Sequence, residues 1–78
     1  MDRTITQVNF TWSIPGGLWV RRGSEQGEWI DMESLVAEVG AAEARRLQDV
    51  AYHNGMTGMW YNARNGGNVY ANGQEVNA

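Results

Sequence analysis

Seventy-eight residues with a net charge of −3 and no cysteine describe one small domain. The missing Cys excludes disulfides and thiolate metal sites, and a single His leaves little for any metal. All six cations are Arg, so a Schiff-base Lys and a Walker phosphate loop are excluded.

From the N-terminus, Thr4 to Ile14 alternates as a half-buried strand. Val8, Phe10, Trp12 and Ile14 point one way, and Gln7, Asn9, Thr11 and Ser13 the other. Pro15-Gly16-Gly17 breaks the pattern, and Leu18 to Arg22 resumes it. A three-residue loop would pair Ile14 with Leu18 and Trp12 with Val20. It would also place Trp19 and Arg21 on the polar face.

Gly23 to Gly27 reads as a polar loop, and Trp29-Ile30 as a short extended piece. Asp31 is a credible helix N-cap, with Ile30 and Leu35 placed to form a hydrophobic staple. Leu35, Val36 and Val39 mark a buried stripe. On one straight helix Glu43 and Arg46 would enter that stripe, so the helix bends or restarts near Gly40. Ala44, Leu47 and Ala51 then form a second face. Asn54-Gly55 supplies a stop.

The last third is turn-rich. Met56 to Arg64 is extended, Asn65-Gly66 is a turn signal, and Asn68 to Ala71 returns. Asn72-Gly73 precedes a third piece, Gln74 to Val76. Trp60 would share a face with Val69 and Val76, and Tyr61 would face Tyr70 on the other side. The fold expected is α+β: an N-terminal β-hairpin, one kinked or two short helices, and a C-terminal β-meander.

Leu, Ile, Val and Phe supply only 14 of the 78 residues, so four Trp and three Tyr must fill much of the core. Trp12 and Trp60 are expected inside, Trp19 and Trp29 partly exposed. A core this small is marginal alone, and association with a partner or a second copy, as a homodimer, is the expected supplement.

The search for chemistry is mostly negative. His53 is the only imidazole and sits at a helix end, where a cation suits the dipole. Ser13, Ser24 and Ser34 have no nucleophile-elbow sequence around them. Gly66-Gly67 lacks the Lys and helix of a phosphate loop. No catalytic residue, metal or cofactor is expected, and the chain reads as a non-enzymatic binder.

Two features point to binding. Between Gly23 and Ala44 stand six acids, Glu25, Glu28, Asp31, Glu33, Glu38 and Glu43, with no cation among them. Their simpler reading is a solvated loop and helix face. The sharper one is a negative patch, flanked by Trp19 and Trp29, that docks on a basic surface. A basic-aromatic alternative uses Arg21, Arg22, Tyr61, Arg64 and Tyr70 to hold single-stranded nucleic acid on a sheet. The absent Lys and the net negative charge oppose it.

Small size, absent Cys, net acidity, the strand–helix–strand layout and the Glu25–Glu43 stretch with Trp19 and Trp29 resemble the small phage-encoded inhibitors, including anti-CRISPR proteins. The resemblance is one of general character and assigns no residue roles. It implies a stoichiometric blocker of a host protein or nucleoprotein complex with a basic surface. Direct nucleic-acid binding is the second expectation, and a phage structural or assembly subunit the third. No apolar run reaches membrane-spanning length and the N-terminus lacks a signal-peptide core, so a cytoplasmic location is expected.

Overall fold

A computed structural model describes residues 4–11, 15–23, 26–52 and 59–69. The elements run β1 (Gln7–Asn9), β2 (Gly17–Arg21), β3 (Glu28–Asp31), α1 (Met32–Val39), α2 (Ala41–Tyr52), β4 (Trp60–Asn62) and β5 (Asn68–Val69). The fold is α+β. One antiparallel sheet has strand order β3-β2-β1-β4-β5, with β1 at its centre. No helix among the described residues is long and apolar enough to cross a membrane.

Alternation decides which side of the sheet is buried. Val8 pairs with both Val20 and Tyr61, and Leu18 pairs with Ile30. These side chains form one apolar face, which meets Leu35 of α1 and Ala44, Leu47 and Ala51 of α2. Phe10 joins them and packs on Tyr52, with ring centroids 3.9 Å apart. Leu18, Leu35 and Leu47 are almost fully buried, each contributing about 2 kcal/mol of apolar transfer.

A small irregularity puts Ile5 in the same core. Gln7 is the register partner of Arg21, yet the Thr6 amide also donates to the Arg21 carbonyl at 2.8 Å. Two residues thus face one, as in a β-bulge. The extra residue reverses the alternation, so Ile5 and Val8 share a face although three positions apart.

The N-terminal hairpin has a different register from the one expected. Val8, not Trp12, pairs with Val20, a slip of four residues that lengthens the loop. An even slip preserves the faces, so Val8 and Phe10 are still inside and Trp19 still outside. The piece at Trp29-Ile30 is a full third strand, which makes the N-terminal unit a three-stranded meander. At the C-terminus β4 and β5 form a hairpin, as expected, but with Trp60 opposite Val69 and Tyr61 opposite Asn68 rather than the expected Tyr70. Tyr70 and the third piece, Gln74 to Val76, lie outside the described residues, as do Trp12, His53 and Asn54-Gly55.

The helices divide at Gly40, as the stripe required. Gly40 has φ 92°, ψ 158°, a conformation open to glycine and hostile to a Cβ. Its N–H closes α1 on the Val36 carbonyl at 2.8 Å, and its carbonyl accepts from Ala44 at the start of α2. Val36 departs from the expected stripe. It is 39% exposed, because only Leu35 of α1 reaches the core fully.

Asp31 caps α1 by accepting from the Ser34 N–H at 2.7 Å. The Met32 N–H donates to the Gly16 carbonyl at 3.0 Å, satisfying another free helix donor. The Ser34 hydrogen bonds hold the Asp31 carboxyl below its usual pKa. A depressed folded-state pKa contributes stability above the unfolded value and loses it as pH falls through the folded one. The melting temperature is therefore expected to drop as pH falls below the ordinary aspartate range. Asp31→Asn should remove part of that slope when melts are compared across acid pH.

Candidate functional site

The side of the sheet away from the helices carries the distinctive residues. Direct pairing places Trp29, Trp19, Asn9, Trp60 and Val69 in one row across all five strands. The adjoining row holds Arg21, Gln7 and Asn62. Trp29 on edge strand β3 is 37% exposed, while Trp19 and Trp60 are half-buried. Neither helix covers this side.

The sheet curls toward this face. A Cβ on Gly27 would stand 2.7 Å from Cζ2 and Cη2 of Trp60. Gly27 immediately precedes β3, three strands from β4 in the sheet order. On a flat sheet that is about 14 Å, beyond a Trp side chain. The indole spans the distance because the strands wrap around it. Gln7, Asn9 and Asn62 lie on the floor of the resulting hollow, each only 8% exposed.

Arg21 is fixed within this hollow. Its guanidinium stacks over the Trp60 ring at 4.1 Å and donates to Gln7 Oε1 at 2.6 Å. Asn62 Oδ1 accepts from the amides of Arg64 and Asn65 at 2.8 and 3.3 Å, which shapes the β4–β5 turn. Asn9 Oδ1 is buried and finds no hydrogen-bond partner among the described residues.

The acidic stretch is largely engaged inside the chain. Arg22, buried at the end of β2, donates from both terminal nitrogens to Glu38 at 2.6 and 2.8 Å. Its Nε donates to Glu28 at 3.1 Å. The Glu38 hydrogen bond, followed by that of Glu28, raises the Arg22 pKa further above its ordinary value against the cost of burial. Glu43 forms a two-pronged pair with Arg46, both contacts 2.7 Å. That pair lowers the Glu43 pKa and raises that of Arg46, though both side chains are well exposed and solvent screens them. Asp31 is the helix cap. Glu33 is exposed in the first turn of α1, where an acid suits the helix dipole. Glu25 lies outside the described residues.

The basic-aromatic set is also redistributed. Tyr61 is fully buried in the core, opposite the side that a sheet-bound nucleic acid would use. Arg22 is the internal clamp. Arg64 is exposed in the β4–β5 turn. Among the described members of that set, only Arg21 remains on the aromatic face; Tyr70 lies outside the described residues. Trp60, expected in the core, stands on the outer face instead. Its alternate neighbours carried the signal: Trp60, Asn62 and Arg64 include two polar residues, whereas Met59, Tyr61 and Ala63 include no charge.

The sheet thus presents three indoles and one stacked guanidinium over a polar floor. No protein-family model matches this chain, no curated protein matches it, and no solved structure matches its fold.

Proposed function

We propose that this protein is a non-enzymatic protein-binding domain that docks through the helix-free face of its sheet. The observation behind this reading is the row of Trp29, Trp19 and Trp60 on a side that neither helix covers. Trp is the residue most enriched where interfaces concentrate their energy. The small size, net acidity and general resemblance to phage-encoded inhibitors favour action as a stoichiometric inhibitor of a host nucleoprotein complex. Because Glu28, Glu38 and Glu43 have internal cationic partners, the indoles rather than an acidic patch carry this reading.

The test compares affinity capture of a partner from host lysate by the wild type and by Trp19→Ala/Trp29→Ala. Far-UV circular dichroism confirms that the variant is folded. Loss of two such anchors is expected to lower affinity at least ~30-fold, about 2 kcal/mol. Glu33→Arg is expected to change it little. Capture undiminished by the double variant would place the interface elsewhere.

Arg21 stacked on Trp60 favours one second reading, a platform for single-stranded nucleic acid. The net charge of −3 weighs against it. Titration with single-stranded oligonucleotide at low salt separates the two.

A further inference from the structure

The centre of the aromatic row is a polar residue. Asn9 lies between Trp19 and Trp60, is 8% exposed, and leaves its Oδ1 without a hydrogen-bond partner among the described residues. A buried acceptor without a donor is rare and destabilising, because it has surrendered its water and gained nothing in return. The neighbouring row answers the same problem with an arginine. There the guanidinium of Arg21 stacks on an indole and donates to the Gln7 side-chain oxygen. The Asn9 row repeats the indole and the amide oxygen, and lacks the guanidinium.

We propose that an arginine side chain of a partner protein fills this position, stacking on Trp19 and Trp29 and donating to Asn9 Oδ1. The inference rests on the reading of this face as a protein-docking surface. The ligand must be planar enough to stack and must bring an N–H. A guanidinium does both, whereas an ammonium offers only a compact point charge. The net charge of −3 attracts a cationic segment and repels the phosphates that a nucleic-acid base would bring. Entry requires one indole to swing aside, a rotamer change accessible to half-exposed side chains.

The probe is a ten-residue Gly–Ser peptide with one central Arg, set against its Lys and citrulline counterparts and a thymidine decanucleotide. Binding is followed through the indole N–H and Asn side-chain signals in two-dimensional NMR. The Arg peptide is expected to shift Trp19, Trp29 and Asn9 saturably, with the Lys and citrulline peptides at least ~5-fold weaker. Asn9→Leu should weaken the Arg peptide at least ~10-fold. It should also raise the melting temperature, by roughly 4 °C or more, because the orphaned acceptor is gone.

Four results would overturn the proposal: no shift at millimolar Arg peptide, equal response to Arg and Lys, tighter binding of the oligonucleotide, or a lower melting temperature for Asn9→Leu. The last would show that Asn9 is satisfied within the molecule. The two readings fail separately. Partner capture lost in Trp19→Ala/Trp29→Ala but kept in Asn9→Leu preserves the docking face and removes the arginine. Capture kept in the double variant removes the docking face, and the peptide titration alone then decides the arginine site.

Discussion

Gly17→Ala should remove most of the stability of the fold and lower its melting midpoint steeply. A Cβ at Gly17 would overlap the Ile30 carbonyl oxygen and stand 2.5 Å from Cζ2 of Trp29. The indole could turn away, but the carbonyl cannot. Ile30 is held in β3 by its pairing with Leu18, one step from the Gly17–Asp31 pair. The methyl group therefore has to separate β3 from β2 or displace the start of β2. Overpacking of ordinary cores costs about 1–3 kcal/mol, and here the obstacle is backbone, so more than ~4 kcal/mol is expected. Small domains hold only about 5 kcal/mol in total. Circular dichroism melts of Gly17→Ala check this directly. A midpoint within a few degrees of wild type would mean that β2 and β3 do not approach as closely as described.

Arg22→Ala is expected to cost the next largest amount, about 2–3 kcal/mol. Removing one member of a buried ion pair commonly costs about 3–5 kcal/mol, because the partner is left charged and unsolvated. Here Glu38 is 34% exposed and Glu28 55%, so both carboxylates can turn to water and recover part of the loss. The guanidinium also ties the end of β2 to β3 and to α1 at once, a geometric task that a point charge cannot perform. Arg22→Lys should consequently recover less than half of the deficit. Arg46→Ala, which breaks an exposed pair, should cost about 0.5 kcal/mol or less. Urea titrations of the three variants measure the contrast. Equal costs at Arg22 and Arg46 would remove the clamp from the account.

Local signals in the sequence were enough for the helices. Asp31 as cap, the restart at Gly40, and the Ala44–Leu47–Ala51 face all depend on residues within a turn or two of one another. The strand faces of β1 and β2 were legible for the same reason, since alternation is local. What required the structure was long-range pairing. The β1–β2 register depends on how the Pro15-Gly16-Gly17 segment closes, and a four-residue slip leaves the alternation unchanged. In β4, Trp60 and Tyr61 are both large and apolar, so the two residues by themselves do not say which faces the helices, and only the alternate neighbours Asn62 and Arg64 mark the Trp60 side as outer. The site was hidden by the same ambiguity. Asn9 reads as a solvated residue on a polar face until Trp60 is known to stand beside it. The acids read as a patch until Arg22, six residues from Glu28 but sixteen from Glu38, is seen between them.

The central position of β1 has a consequence for how the chain assembles during synthesis. Its partner on one side, β2, follows within a dozen residues, but its partner on the other side, β4, is far along the chain: Asn9 pairs with Trp60. A ribosome will therefore have released the N-terminal meander and both helices while one edge of β1 still has open amide and carbonyl groups. Closing so long a loop is entropically slow, and unpaired strand edges invite association with other chains. The growing polypeptide thus passes through a stage with a nearly complete apolar layer and an unfinished sheet. Pairing of β4 with β1 then closes that edge.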